Sequence, residues 1–102
     1  MIYIYVSTNI PNMQQKRTKK EIEYCGYLSK TIKKLREKSG KSLNSLAFDC
    51  LLSPSTFCRI ENNQNTPQIT TISQIAQGLG ISLSKLISEM EKEIPKDFYF
   101  TT

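Results

Sequence analysis

Cysteines and carboxylates are the side chains of this 102-residue chain best suited to chemistry, since histidine is absent. The three cysteines Cys25, Cys50 and Cys58 are odd in number and include no closely spaced pair, which argues against a disulfide framework and against a zinc site. The carboxylates, Asp49 and Glu61 among them, form no paired arrangement of the kind that acid–base catalysis uses. The sequence therefore predicts a protein that is not an enzyme and that holds no metal ion and no cofactor.

Positive charge is the second chemical feature, and it is concentrated towards the N-terminus. Residues 16–41 contain ten lysines and arginines against three glutamates, whereas residues 61–102 contain five acids against three lysines. This asymmetry favours a polyanion as the partner of the N-terminal side of the fold. A solvated lysine-rich surface explains the same composition equally well, so charge alone leaves both interpretations open.

Length and composition are those of one compact domain. A chain of 102 residues with 38% hydrophobic and 23% charged residues is globular and too short for two ordinary domains. Its longest apolar run, residues 1–6, is far shorter than the ~20 residues of a membrane-spanning helix and lacks the flanks of a signal peptide. These features and the unpaired cysteines predict a protein of the reducing cytoplasm that does not contact a membrane. If its polyanionic partner is DNA, we expect the protein to be located with the nucleoid.

Apolar residues recur at helical spacing in five segments, which predicts an all-α fold of five short helices. The predicted helices cover about residues 21–39, 42–50, 53–60, 69–79 and 82–94. Ser53 is a favourable N-cap, and Pro54 follows at the first helical position, where its missing N–H costs nothing. Connections of a few residues between such helices predict a compact bundle.

The link between the second and third predicted helices is the most informative feature of the pattern. Only Leu51 and Leu52 separate Cys50 from the N-cap at Ser53, so the two helices must turn sharply against each other. A helix-turn-helix has this arrangement, with its second helix held so that the N-terminal residues enter a major groove. The spacing therefore predicts a helix-turn-helix over about residues 42–60.

The termini differ in character from the helical part. Residues 1–11 are rich in β-branched and aromatic side chains and predict a short strand, and residues 12–20 predict a flexible basic arm. We therefore divide the chain into an N-terminal extension over 1–20, a helix-turn-helix domain over 21–94 and a C-terminal tail over 95–102. The aromatic residues at both ends have no obvious core role, and one hypothesis pairs the two ends as a small sheet in a dimer.

Several short motifs follow one another along the chain: Leu35-Arg36, Ser42, Leu46-Ala47, Ser53-x-Ser-Thr-x-x-Arg-Ile-Glu-Asn, Pro67, Ile75-Ala76 and Leu79-Gly80-Ile81-Ser82. In this order and at this spacing they resemble the helix-turn-helix domain of lambda-type phage repressors and Cro proteins, the xenobiotic-response-element family. The resemblance covers about residues 28–88. It implies a compact five-helix, lambda-repressor-like domain that binds double-stranded DNA sequence-specifically as a dimeric transcription regulator, such as a repressor.

The resemblance also implies which residues meet DNA. In the family, the start of the second helix and the exposed face of the third contact bases and phosphates; here these positions are Lys41, Ser42, Leu43, Ser53, Pro54, Ser55, Thr56, Cys58, Arg59, Asn62 and Asn63. Arg59 can reach a guanine bidentately or lie on a phosphate, and the sequence leaves both open. Arg36 and Glu61 take the positions of the family's buried ion pair between the first helix and the end of the third, which favours a structural role over direct contact with DNA.

Three residues depart from the family pattern. Leu51 stands where a glycine is usual, and we expect it to resist the left-handed conformation and to lengthen or distort the turn. Leu43 replaces a glutamine, and Pro54 replaces a long polar residue, at positions that read DNA in several relatives. We therefore expect weaker sequence-specific readout than in many members of the family.

Three functions from different classes remain open. The leading one is a homodimeric regulator that binds a pseudo-palindromic operator, because a single helix reads too few bases. The second is an antitoxin-like or controller protein whose main partner is another polypeptide, bound through the aromatic termini. The third is a helical scaffold that has lost its affinity for DNA.

Overall fold

The computed structural model describes residues 16–101, which form five α-helices joined by short connections. The helices are α1 Lys19–Ser39, α2 Leu43–Asp49, α3 Pro54–Glu61, α4 Ile69–Gly78 and α5 Leu83–Glu91. The described residues contain no strand, and the prediction of an all-α fold with five helices is confirmed. The strand predicted for residues 1–11 lies outside the described residues. None of the helices over 16–101 is both long and apolar enough to cross a membrane.

The hydrophobic core lies where the inner faces of all five helices converge. α1 packs against α3 and α5, α2 packs against α3 and α4, and α4 packs against α5. Burying one large apolar side chain contributes about 1.5–3 kcal/mol, and helices as short as α2 and α3 form only because of that packing. The largest fully buried side chains are Ile32 from α1, Leu46 from α2, Phe57 and Ile60 from α3, Ile75 from α4 and Leu86 from α5.

α1 begins earlier than the apolar pattern indicates. Oγ1 of Thr18 accepts a hydrogen bond from the N–H of Glu21 at 3.0 Å, and Oε1 of Glu21 accepts one from the N–H of Thr18 at 2.8 Å. This reciprocal capping box sets the helix start at Lys19, within the segment predicted to be a flexible basic arm. The sequence prediction overlooked the cap because the apolar stripe starts only at Tyr24.

α4 approaches the end of α2 closely at Gly78. A Cβ atom at Gly78 would overlap Sγ of Cys50 and would lie 3.1 Å from the Cα and N atoms of that residue. Beside this contact, Nε2 of Gln74 donates a hydrogen bond to the carbonyl of Cys50 at 3.1 Å. Glycine at position 78 therefore lets α4 seat directly behind the turn that leads from α2 to α3.

Aromatic residues of the C-terminal tail pack against the first half of α1. The ring centroid of Phe98 lies 5.8 Å from that of Tyr24 and 6.0 Å from that of Tyr27, and the centroid of Phe100 lies 4.9 Å from that of Tyr24. Nζ of Lys20 lies 4.8 Å from the Phe98 centroid, within cation–π range. Two of the tail's aromatics thus cover α1, and residues 95–101 form no strand for the hypothesised sheet.

Candidate nucleic-acid interface

α3 has one buried face and one face open to solvent. Phe57 and Ile60 are 0% and 2% exposed and hold the helix on the core. At the N-terminus, Oγ of Ser53 accepts from the N–H of Thr56 at 3.1 Å and donates to Oγ1 of Thr56 at 2.9 Å, and Pro54 is the first helical residue. Packing and capping together fix a helix of only eight residues.

The open face of α3 carries small polar groups around one arginine. Nη1 of Arg59 donates to Oγ of Ser55 at 2.7 Å, one turn earlier in the helix. Nδ2 of Asn62 lies 3.3 Å from Sγ of Cys58, which is again one turn earlier. Pro54, Ser55 and Arg59 are exposed, and Cys58 is half-buried. The face presents donors and acceptors on side chains short enough for a large ligand to approach the helix closely.

The turn between α2 and α3 is tight even though it carries Leu51. Leu51 has a left-handed φ of 61°. Its N–H donates to the carbonyl of Phe48 at 3.1 Å, and the N–H of Leu52 donates to the carbonyl of Ala47 at 2.9 Å, which together form a Schellman motif. The expectation that Leu51 lengthens or distorts the turn is therefore wrong. Its side chain is 84% exposed, so the left-handed conformation strains the backbone without a tertiary clash.

The start of α2 brings Lys41, Ser42 and Leu43 together. Oγ of Ser42 accepts from the N–H of Ser45 at 3.1 Å and caps the helix. Nζ of Lys41 lies 2.5 Å from Oδ2 of Asp49, at the other end of α2. Leu43 is half-buried and packs against the core, so Lys41 and the cap at Ser42 are the polar groups of this segment.

Arg36 of α1 connects the start of α2 with the end of α3. Its Nε lies 2.6 Å from Oε2 of Glu61, its Nη2 lies 3.1 Å from Oε1, and its Nη1 donates to the carbonyl of Lys41 at 3.1 Å. The side chains of Arg36 and Glu61 are 14% and 4% exposed. The hydrogen bonds that Arg36 donates to Glu61 are the main cause that raises the pKa of Arg36 above its ordinary value, so the guanidinium stays charged.

Asn63, which directly follows α3 and its C-cap, is bonded to the N-terminal segment. Its φ is left-handed at 55°. Its Nδ2 donates to the carbonyl of Ile22 at 2.8 Å, and its Oδ1 accepts from Nη2 of Arg17 at 2.6 Å. Both polar atoms of this predicted DNA-contact side chain thus have partners within the chain. Sequence reasoning grouped Arg17 with a run of basic residues, because no spacing signal links positions 17 and 63.

A largely apolar cavity of about 260 Å³ lies among α1, the connection before α4, and α5. None of its lining residues belongs to the open face of α3 or to the start of α2. They are Tyr24, Cys25, Leu28, Thr66, Pro67, Ile72, Ile87 and Met90. Among the described residues, no group of Cys, Asp and Glu side chains is arranged to hold a metal ion.

The tight turn and the two short helices on either side of it have counterparts in known proteins. The helix-turn-helix family HTH_3 matches residues 32–86, which is more than half of the chain. This chain belongs to that family. The resemblance to the xenobiotic-response-element proteins is thereby confirmed, and the family is one of regulatory DNA-binding domains.

Two relatives are similar to this HTH_3 chain in sequence. The HTH-type transcriptional regulator SutR of Escherichia coli K12 is 36% identical over 69 residues, which cover 68% of this chain and 39% of SutR. The control protein C.MunI of a Mycoplasma species is 40% identical over 63 residues, which cover 61% of this chain and 85% of C.MunI. The chain therefore matches about two fifths of the length of SutR and most of the length of the control protein.

Solved structures agree with the family assignment. The restriction-modification controller protein C.Esp1396I superposes with a TM-score of 0.67 at 29% identity, covering 72% of this chain and 94% of that chain. The clp gene regulator ClgR of C. glutamicum superposes with a TM-score of 0.66 at 18% identity, covering 72% of this chain and 96% of that chain, and shows the shared fold alone. The expected lambda-repressor-like fold is therefore confirmed.

Proposed function

We propose that this protein is a transcription regulator that binds double-stranded DNA with α3 as its recognition helix in the major groove. The observation that carries the proposal is the two-faced build of α3, with Phe57 and Ile60 in the core and with Ser55 and Arg59 open to solvent. Small polar residues on that face let base edges come within hydrogen-bond reach. Membership of HTH_3 supports the same function.

In this proposal the contacts divide between the elements of the motif. Bases meet the open face of α3, through Ser53, Pro54, Ser55, Thr56, Cys58 and Arg59. Phosphates meet Lys41 and Ser42 before α2 and Asn62 after α3. Leu43 and Asn63 act by holding their segments in place, because Leu43 packs on the core and Asn63 is bonded to Arg17.

We further propose that two copies act together on a pseudo-palindromic site. One helix of eight residues reads too few base pairs for useful specificity, whereas a two-fold pair reads twice as many. The two recognition helices would then lie one helical turn of DNA apart, about 34 Å. Sedimentation analysis of the free protein and of the DNA complex tests this directly. A one-to-one complex on the preferred site would contradict the dimer.

The proposed location is the cytoplasm, on the nucleoid. Cys25, Cys50 and Cys58 are all free thiols, which fits a reducing compartment. Fractionation of cells that express the tagged chain tests the location, because nuclease treatment should release the protein from the nucleoid fraction. Recovery in the membrane fraction would contradict the proposal.

Fluorescence anisotropy with random-sequence duplex separates DNA binding from a purely structural role. A protein that contacts six or more phosphates loses about a thousandfold in affinity between about 50 and 200 mM salt, because the release of counterions from DNA, which favours binding, yields less free energy as the salt concentration rises. We expect such a steep decline here. Absence of binding at about 50 mM salt would favour a scaffold that has lost DNA affinity.

Selection of bound duplexes from a random pool then tests sequence specificity. Enrichment of a palindrome with half-sites about 10 base pairs apart is the expected result, and its spacing reports the dimer geometry. Recovery of unrelated sequences with equal affinity would overturn sequence-specific binding while leaving non-specific DNA binding intact.

A second candidate is a controller of a restriction-modification system. The restriction-modification controller protein C.Esp1396I is 29% identical to this chain, and the control protein C.MunI is 40% identical to it. Binding to duplexes from upstream of the adjacent genes, where those genes encode a nuclease and a methyltransferase, would support it.

A controller that works mainly by binding another polypeptide through the C-terminal aromatics is less favoured by the structure. Phe98 and Phe100 already pack on Tyr24, although Tyr99 is 64% exposed and Phe100 is 53% exposed. Co-purification with an adjacent gene product, abolished by Tyr99→Ser and retained by the exposed-site control Lys96→Ser, would favour it nonetheless.

A further inference from the structure

Arg17 uses all three of its guanidinium nitrogens within the chain. Nη2 donates to Oδ1 of Asn63 at 2.6 Å, Nη1 donates to the carbonyl of Asn63 at 3.0 Å, and Nε donates to Oγ1 of Thr66 at 3.0 Å. A planar guanidinium with a fixed fork of donors suits this set of acceptors, and a lysine ammonium does not. Arg17 therefore holds the connection between α3 and α4 in place through three hydrogen bonds.

The connection that Arg17 holds is itself bonded to the last turn of α3. The N–H of Gln64 donates to the carbonyl of Arg59 at 2.8 Å, and the N–H of Asn63 donates to the carbonyl of Ile60 at 3.1 Å. These bonds form a Schellman motif in which Asn63 holds the left-handed position. The backbone carbonyl of Arg59 is therefore part of the motif to which Arg17 is hydrogen-bonded. The side chain of the same residue, Arg59, lies on the open face of α3.

The upstream part of α1 adds two further bonds to the same end of α3. Nδ2 of Asn63 donates to the carbonyl of Ile22 at 2.8 Å, and Oγ of Ser29 donates to the carbonyl of Ile60 at 2.6 Å. Arg17, Ile22 and Ser29 all precede residue 32, where the match to HTH_3 begins. Residues that precede the family match are thus hydrogen-bonded to the C-terminal end of α3, which lies within the match.

We propose that Arg17 is a positioning residue, which sets the orientation of α3 for DNA through Asn63 and Thr66 and does not serve as a phosphate contact. The inference rests on the proposed DNA-binding function. It gives a structural role to Arg17. Judged by its positive charge and its place in a basic segment alone, Arg17 would be expected to contact a DNA phosphate. The bonds to Asn63 fix the C-terminal turn of α3, and the packing of Phe57 and Ile60 fixes the rest.

Salt dependence separates the two roles of an arginine. A residue that contacts a phosphate contributes about one unit to the slope of log affinity against log salt, and its loss is felt less as salt rises. A positioning residue changes affinity by the same factor at every salt concentration. Charge-assisted hydrogen bonds of the kind that Arg17 makes are strong enough for a change of about tenfold.

The test compares Arg17→Met, Arg17→Lys and the neighbouring control Lys16→Met on one selected duplex, from about 50 to 200 mM salt. All measurements are made at a temperature where circular dichroism shows each variant folded. We expect Arg17→Met to lose about tenfold in affinity with an unchanged salt slope, and Arg17→Lys to recover little, because it keeps the charge but lacks the fork. Lys16→Met should lose much less.

Three results of these affinity measurements would overturn the inference. One is an Arg17→Met variant whose salt slope falls by about one unit, and another is an Arg17→Lys variant that binds like the wild type, because both indicate a phosphate contact. The third is unchanged affinity of Arg17→Met. Wild-type protein that binds no duplex would instead overturn the proposed function itself, so the two failures are distinguishable.

Amide hydrogen exchange gives a second readout that does not involve DNA. The N–H of Gln64 closes the Schellman motif onto the carbonyl of Arg59. We expect Arg17→Met to speed its exchange about tenfold relative to the wild type while buried amides of α5 keep their rates, because only the local motif loosens. Unchanged exchange at Gln64 would show that Arg17 does not hold the end of α3, and would overturn the inference.

Discussion

The guanidinium of Arg36 lies between the carboxylate of Glu61 and the carbonyl of Lys41, 2.6 Å from Oε2 of the first and 3.1 Å from the oxygen of the second. It therefore joins the end of α3 to the start of α2 through a residue of α1. Both segments that we propose to contact DNA are thus bonded to this one side chain. The geometry of the proposed interface thus depends on a largely buried arginine whose three guanidinium nitrogens are all bonded within the chain.

Replacing Arg36 with methionine should destabilise the fold strongly, because the buried carboxylate of Glu61 loses its partner. We expect the free energy of unfolding to fall by about 3–5 kcal/mol in urea titrations at neutral pH. Lys34→Met is the control, since Nζ of Lys34 forms a solvent-exposed pair with Glu93 at 2.7 Å, and the loss of such a pair should change stability little. Equal losses in the two variants would contradict the structural role of Arg36.

Glycine at position 51 should stabilise the protein. Leu51 holds a left-handed φ of 61° with its side chain 84% exposed, so Leu51→Gly relieves backbone strain and sacrifices little packing. The greater freedom of glycine in the unfolded chain offsets part of this gain, which leaves a net increase of about 0.5–1 kcal/mol in the free energy of unfolding. Leu51→Ala keeps the strained φ and should change stability by less than about 0.5 kcal/mol. A destabilised glycine variant would contradict the account of the turn.

Alanine at position 78 should destabilise the protein, although alanine is the better helix former by about 1 kcal/mol. The new Cβ would overlap Sγ of Cys50, so α4 must move away from the turn, at a cost of about 1–3 kcal/mol. In a Cys50→Ala background the same change should cost less, because the sulfur is gone, and a double-mutant cycle measures the difference. A stabilising Gly78→Ala change would show that the two helices do not meet closely.

Stability should decline in mild alkali because of Cys50. Burial raises the pKa of its thiol from 9.0 to about 11, with a smaller contribution from Asp49. Between these values the unfolded chain has lost the proton that the folded chain keeps, so the free energy of unfolding falls with rising pH, by up to about 2–3 kcal/mol. Denaturant titrations from pH 8 to 11 should show a shallower decline for Cys50→Ala, since that variant shares the lysines but lacks the thiol. Parallel curves of unfolding free energy against pH for the wild type and Cys50→Ala would contradict the assignment of this decline to Cys50.

Local signals in the sequence predicted most of the fold. Ser53 and Pro54 mark the start of α3 because an N-cap and a proline at the first helical position act on neighbouring backbone groups alone. The spacing of Phe57 and Ile60 likewise identifies the buried face of α3 without knowledge of its partners. The family resemblance then placed these elements in order.

The rest depends on contacts between residues far apart in sequence. Nothing in the spacing of Arg17 and Asn63 indicates that their side chains form a hydrogen bond. The basic run around Arg17 predicts a flexible segment, not one that is bonded to the end of α3. Leu51 illustrates the opposite error, because intrinsic preference disfavours a left-handed leucine while the hydrogen bonds of the turn and the packing of α2 and α3 outweigh that preference. Tertiary contacts determine both the bonding of Arg17 and the backbone conformation of Leu51.

The central claim is that DNA lies against the open face of α3, and Arg59 tests it most directly. We expect Arg59→Gln to lose at least about tenfold in affinity for the selected duplex by anisotropy, in line with the roughly 1–3 kcal/mol of a good base contact. Lys85→Gln removes the same charge from α5 and should bind as the wild type does. A loss confined to the selected duplex would identify a base contact, and an equal loss on random duplex a phosphate contact. An Arg59→Gln variant that binds both duplexes as tightly as Lys85→Gln would contradict the claim.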